Sequence, residues 1–297
     1  MIKRILVILL VFALGGVIWY LFIKEYDYQV NFKGNYGSAS VYYDLLDAQK
    51  SNQKNQISKE PFQEILENKQ LDDTLFTFQW ILQTETDSTT HVTVNIKDRT
   101  NPLAARLNIL NPFDDSYSSY LKKYFLELKK NLDYAQSTYS VKLDQEKNDF
   151  KGQYCVCAQG ESETEQKAPI MLALMGSIDH FFNKNNLSPA DSPMLWVNQW
   201  DLVKNRISFN FCFPIAKKDS LVTTPGITLK TLPSFEALSA EFTGNYRLSH
   251  RAWADLLLNA KSKNIALDKE VIEVLYNNPR TESNSETWKA KIYMPLK

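Results

Sequence analysis

The chain of 297 residues has little of what builds a metal centre. Three cysteines and three histidines are too few and too scattered for a structural zinc module. It has no excess charge either, because 34 Lys and Arg balance 34 Asp and Glu. A neutral chain offers no electrostatic footprint for duplex DNA or RNA, which needs clustered cations to displace counterions. No glycine-rich phosphate loop, HExxH helix or nucleophile elbow occurs. No cofactor and no nucleic-acid partner are therefore expected, and a non-enzymatic role is. His91 lies beside a polar turn, His180 on a helix flank and His250 beside Arg251 on an exposed helix face. None has a Ser, Cys or metal-ligand partner at a telling spacing. Asp114-Asp115 reads as solvated charge, and Asn101-Pro102 and Asn111-Pro112 as turns.

What is present is globular. The chain is 44% hydrophobic and 23% charged, which excludes wholesale disorder. The length allows two folded domains. Aromatics make up 12%. They serve a core first, and a supply this large can also line a ligand pocket.

One long apolar run stands at the N-terminus. Lys3 and Arg4 precede Ile5 to Ile23, and Lys24, Glu25 and Asp27 end the run. As a helix these residues span about 28 Å, close to the hydrocarbon core of a bilayer. Trp19 and Tyr20 sit where interfacial aromatics belong. A cleaved signal peptide is the alternative, with a shorter apolar region and a small-x-small cleavage site. Leu21, Phe22 and Ile23 occupy that place, so residues 1–24 read as a retained membrane anchor. Lys3 and Arg4 predict an N-in orientation, with the rest of the chain extracytoplasmic (periplasmic). The cysteines fit either side. Cys155 and Cys157 share one face of a strand, and Cys212 lies on a later strand. All three serve as small buried apolar residues, or Cys212 bridges to Cys155 or Cys157 in an oxidising compartment.

Residues 25–133 read as an α+β domain. Tyr26, Tyr28, Val30 and Phe32 alternate as a half-buried strand does, and Val41 to Leu46 reads as a short helix. The polar stretch from Lys50 to Lys59 reads as a loop. Phe76, Phe78 and Trp80 alternate, as do Val92, Val94 and Ile96 beyond the turn-like Asp87-Ser88. Another strand is predicted from Ala105 to Leu110. Tyr117 to Leu132 has helical spacing. Residues 134–146 are polar and read as a linker.

Residues 147–297 carry one order twice. The first half predicts a strand (150–158), a helix (169–183) and two strands (194–200 and 207–213). The second predicts a strand (235–242), a helix (246–263) and two strands (271–276 and 287–294). Each half closes alike, with Phe213-Pro214-Ile215 and Met294-Pro295-Leu296. Such a duplicated strand-helix-strand-strand unit buries one helix on each sheet and leaves a groove at its pseudo-twofold axis.

Within the second half stand Leu232-Pro233, Phe242-Thr243-Gly244-Asn245-Tyr246, Ala252-Trp253, Ile272-Glu273-Val274, Asn277-Asn278-Pro279 and Ile292-Tyr293-Met294-Pro295-Leu296. In order and spacing they resemble the GyrI-like effector-binding domain, the ligand-sensing part of AraC- and MerR-type multidrug-responsive regulators. The resemblance extends back to about Lys147. The family pattern Glu-x-Tyr-x-x-Asp-Pro keeps its ends at Glu273 and Pro279. Leu275 stands at the family Tyr, with Tyr276 one later, and Asn278 at the family Asp. In residues 25–133 the first strand, the Phe78-x-Trp80 strand and the long last helix resemble the helix-grip, START-like superfamily called SRPBCC.

The resemblance places Glu273 at the bottom of a groove that meets cationic, aromatic molecules. Trp196, Tyr246, Trp253, Tyr276 and Trp288 are the candidate rings, which would stack on the ligand and add cation–π attraction. An inward carboxylate in an apolar strand is costly unless paired, and burial raises its pKa. Otherwise Glu273 points outward and is solvated, and Trp253 belongs to the core. An anchor stands where such regulators carry a helix-turn-helix segment, so the expected activity is that of a membrane-anchored binding protein, a sensor or sequestering module. Two other readings are a hydrolase of electrophilic small molecules with Glu273 as general base, and an envelope protein-interaction module.

Overall fold

The computed structural model describes residues 2–47, 56–86, 89–111, 116–218, 220–222 and 224–297. The fold is mixed α+β with antiparallel sheets, and the chain forms two compact units, Met1–Asp133 and Tyr134–Lys297.

The first unit starts with α1 (Ile2–Ile18), which continues as a π-helical turn, Trp19–Ile23. Arg4–Ile23 is long and apolar enough to cross a membrane. Arg106 fastens the end of this segment. Its guanidinium donates to the carbonyls of Tyr20 (2.9 Å) and Lys24 (2.6 Å) and pairs with Asp27 at 2.5 Å. Both partners of the pair are buried.

Next come β1 (Tyr28–Gly34), α2 (Ser38–Asp47), β2 (Gln56–Glu60), β3 (Glu64–Leu71), β4 (Thr74–Thr86) and β5 (Thr89–Asp98). The strands form one sheet in the order β1-β5-β4-β3-β2. Period-two alternation puts Phe76, Phe78, Trp80 and Leu82 on one face with Val92, Val94 and Ile96. The helix α4 (Ser116–Ser137) lays Leu121, Phe125 and Leu132 toward the core, and Phe125 meets Phe78 edge-on at 5.6 Å.

Two expectations change, and one strand goes unread. Ala105 to Leu110 is not a strand but part of α3 (Pro102–Leu110), because Asn101 caps the helix through the amide of Ala104 and Pro102 is set for its first turn. Part of the expected loop, Gln56 to Lys59, is β2 paired with β3. β3 itself hides from pattern reading because a carboxylate takes an inward position. Glu67 is 2% exposed and accepts the indole N–H of the neighbouring Trp80 at 3.1 Å. Asp87-Ser88, Asp114-Asp115, Pro112 and residues 48–55 lie outside the described residues.

The second unit holds β6 (Tyr139–Leu143), β7 (Asn148–Phe150), β8 (Gln153–Glu163), α5 (Lys167–Asn185), β9 (Met194–Asp201), β10 (Arg206–Pro214), β11 (Ile227–Leu232), β12 (Phe235–Gly244), α6 (His250–Ser262), β13 (Val271–Leu275) and β14 (Lys289–Pro295). Residues 134–146, expected as a linker, are thus structured. They finish α4 and supply β6, which pairs along β12. That pairing needs a glycine at Gly244, where φ is +139° and a Cβ would lie 2.6 Å from the Cβ of Tyr139.

The sheet runs β11-β8-β10-β9-β13-β14-β12-β6, with β7 beside β12. β9 and β13 meet at its centre, Glu273 opposite Leu195. One face carries the larger core beneath α5 and α6, including Leu195, Val197, Val271, Leu275 and Trp253. The other carries a smaller cluster of Phe150, Met194, Ile272 and the cysteines. Cys157 and Cys212 are cross-strand partners bonded as a disulfide, and Cys155 is a buried free thiol whose pKa burial pushes up to about 12.

Candidate functional site

The site begins with the strand β13. Alternation turns Val271, Glu273 and Leu275 to the helix side of the sheet, and Ile272 and Val274 to the other. Glu273 is therefore fully buried. Its Oε1 accepts the indole N–H of Trp253 at 2.5 Å and the hydroxyl of Ser249, just before α6, at 2.6 Å. Its Oε2 has no hydrogen-bond partner among the described residues. Burial raises the Glu273 pKa, against the opposing pull of Lys167, Ser249 and Trp253.

Lys167, the first residue of α5, is buried on the same wall. Its Nζ lies 5.1 Å from the centroid of the Trp253 ring and 3.5 Å from the Arg247 carbonyl. Burial lowers its pKa to about 8, while Glu273 and Glu165 hold it up. Glu165 is itself engaged by the Asn205 amide at 3.0 and 3.1 Å. A carboxylate, an ammonium and an indole thus form one enclosed polar group under the N-terminal ends of both helices.

A groove of about 630 Å³ opens beside this group. α5 gives it Met171, Leu172 and Met175, β10 gives Phe211 and Phe213, and the turn after β13 gives Leu275 to Arg280. Tyr246 and Trp288 close one side, their rings 5.1 Å apart. The Tyr246 hydroxyl donates to the Lys289 carbonyl at 2.8 Å and accepts the Asn277 amide at 2.9 Å, which fixes the ring. Burial pushes its pKa up to about 12. Leu172 and Tyr276 remain 57% and 56% exposed at the lip. A second, more open groove of about 1080 Å³ lies between α6 and the β9–β10 hairpin, lined by Trp200, Leu257 and Lys261 among others.

The structure therefore divides the predicted residues. Tyr246, Tyr276 and Trp288 line the first groove. Glu273 and Trp253 meet each other but lie behind its wall, within the core. Trp196 is on the opposite face of the sheet, where its indole donates to Glu270 at 3.1 Å and Lys230 lies over its ring. One residue of register decides that, because its neighbours Leu195 and Val197 both face the helices. His250 and Arg251 are buried rather than exposed, since β6 brings Tyr139 against Arg251 with a hydroxyl contact of 3.0 Å.

Lys167, Ser249 and Arg247 escaped sequence reading, and no local pattern marks them. The groove wall on α5 did leave a signal. Leu172 and Met175 widen the apolar face of that helix beyond a single core stripe, as a second contact surface does.

An antiparallel sheet with helices on one face thus frames an apolar, aromatic-edged groove of the size that small-molecule sites have. Residues 150–297 match the family model of the GyrI-like small molecule binding domain, and this half of the chain belongs to that family. No curated protein matches the chain. Solved structures similar to it include the EcmrR C-terminal domain, at 13% identity and TM-score 0.44, covering 54% of this chain and 98% of that one. SAV2435 bound to tetraphenylphosphonium is similar at 14% identity and TM-score 0.39, covering 51% and 93%. A hydrolase encoded by lin2189 from Listeria innocua is similar at 12% identity and TM-score 0.34, covering 51% and 91%.

Proposed function

We propose that the chain is a membrane-tethered binding protein whose GyrI-like groove takes a small amphipathic organic molecule. The carrying observation is the groove of about 630 Å³, a typical volume for a small-molecule site, walled by Met, Leu and Phe and edged by Tyr246 and Trp288. Glu273 has a framework role in this reading. With no exposed surface it orients Trp253 and Ser249 rather than touching a substrate as a general base must. The order strand, helix, strand, strand in 153–214 and again in 235–295 supports a duplicated unit, with the two grooves in equivalent places. The sheet, α2 and long α4 of the first unit support a helix-grip-like reading of residues 25–133.

Residues 5–23 serve as the anchor, and Arg106 fastens it to the first unit. The Cys157–Cys212 disulfide supports an oxidising, extracytoplasmic location for the folded units, as Lys3 and Arg4 do by charge. The test is a thermal-shift screen of the full chain in nanodiscs against aromatic acids, neutral aromatics and lipophilic cations. A ligand at one hundred times its Kd adds about 2.7 kcal/mol, or about 5–11 °C. Trp288→Ala removes the shift. Absence of a shift with every compound overturns the reading.

A further inference from the structure

We infer that the groove selects an amphipathic organic anion, an aromatic or alkyl body bearing one acidic group, and that Arg247 reads the acid. The inference rests on the groove being the ligand site. Three charged residues line it: Asp179, Arg247 and Arg280. Asp179 and Arg280 neutralise each other at 3.0 Å. Arg247 is exposed, and its guanidinium has no ion pair or hydrogen bond among the described residues. A free planar fork beside apolar walls suits a carboxylate or sulfonate, which it can grip with two parallel N–H donors. The nearby acids keep their charge but spend acceptor oxygens on neutral amides, and neither lines the groove. Glu282 accepts from Asn277 Nδ2 (2.6 Å) and the Asn278 amide (2.9 Å), and Asp191 accepts from the Ser192 amide (2.7 Å).

The buried group behind the wall points the same way. An organic cation in such a domain would seek an aromatic face beside a carboxylate. Here Trp253 and Glu273 make that pair, and the chain supplies the cation itself, as the Lys167 ammonium. Lys167 and Arg247 share one wall, where the Lys167 Nζ reaches the Arg247 carbonyl. Glu273 and Glu165 outweigh Arg247 at the Lys167 ammonium, so the buried carboxylates are spent on that internal cation and Arg247 is left to the groove.

Three probes with one naphthalene body test this on the full chain in zwitterionic nanodiscs, with empty discs as blank. They are 2-naphthalenesulfonate, 2-methoxynaphthalene and 2-naphthyltrimethylammonium, followed by calorimetric titration. The sulfonate should bind about tenfold tighter than the ammonium or better, a gap of about 1.4 kcal/mol. Arg247→Gln, at an exposed position that leaves the fold intact, should bring the ratio close to one. An ammonium that binds as tightly as the sulfonate, or a ratio unchanged in Arg247→Gln, overturns the inference and leaves the groove as the ligand site. Failure of all three probes to bind overturns the groove reading itself.

Discussion

Replacing Glu273 by leucine probes the enclosed polar group directly. The substitution removes the acceptor of the Trp253 indole N–H and one of the two buried carboxylates, Glu273 and Glu165, that favour the Lys167 ammonium. Ser249 loses less, because its hydroxyl also lies 2.9 Å from the Tyr246 carbonyl. A buried donor left unpaired costs about 1–3 kcal/mol. Removing one partner of a buried charge pair costs about 3–5 kcal/mol. The two overlap at this site, so the expected loss is about 3–5 kcal/mol. A unit of this size loses about 2–4 °C per kcal/mol, giving a drop of about 6–20 °C. Calorimetry of the full chain reads it, and the transition of the second unit is the one that moves when the Cys157–Cys212 bridge is reduced. The double variant Glu273→Leu/Lys167→Met leaves neither charge buried alone, and part of the loss should return. The coupling of the two sites should be about 1–3 kcal/mol. A single variant within about 1 kcal/mol of the parent, or a double variant that loses the sum of the singles, refutes the reasoning.

Stability should also depend on pH through Lys167. Its folded pKa, about 8, lies below the ordinary 10.5, so above pH 8 the unfolded chain binds more protons and stability rises with pH. The slope is at most about 1.4 kcal/mol per pH unit, readable between pH 8 and about 9.5 in a Cys155→Ala background, because the Cys155 thiol, pushed up to about 12 in the fold, otherwise gives an opposite slope as it titrates in the unfolded chain. Lys167→Met should flatten it, and a rise that persists in that variant contradicts the assignment. Arg106→Ala strands the buried Asp27 and frees two backbone carbonyls. It should cost the first unit about 3–5 kcal/mol in a calorimetric scan, and an unmoved transition contradicts the clamp. Cys212→Ser opens a loop of 55 residues, worth about 4 kcal/mol by loop closure. Denaturant midpoints that match the parent under oxidising conditions would mean that the bridge does not form.

Legibility in the sequence followed burial by apolar side chains. β4, β5 and β9 were readable because Phe78, Val94 and Val197 repeat at period two. α5 and α6 were readable because Ile178 and Leu256 recur at helical spacing. Where polar side chains are buried and paired the pattern fails, as at Glu67 in β3 and at His250 and Arg251 in α6. β6 went unread because five residues, tied to β12 through Gly244, carry too little periodicity of their own. The inward aim of Glu273 came from the family resemblance, because its strand neighbours alone left an outward, solvated side chain open. Its partner Lys167 was not legible, because a lysine at a helix start is ordinarily solvated and only the tertiary fold brings it to Trp253. The sides taken by Trp196 and Trp288 depend on register, which the aromatic residues alone leave open.

The central claim is that a small amphipathic molecule sits in the groove edged by Trp288. Fluorine NMR of the full chain, labelled with 5-fluorotryptophan and held in nanodiscs, reads all six indoles at once. On titration with 2-naphthalenesulfonate, the Trp288 resonance should shift saturably, while Trp19, Trp80 and Trp196, away from the groove lining, stay in place. Saturable binding that leaves the Trp288 resonance unmoved would contradict the account.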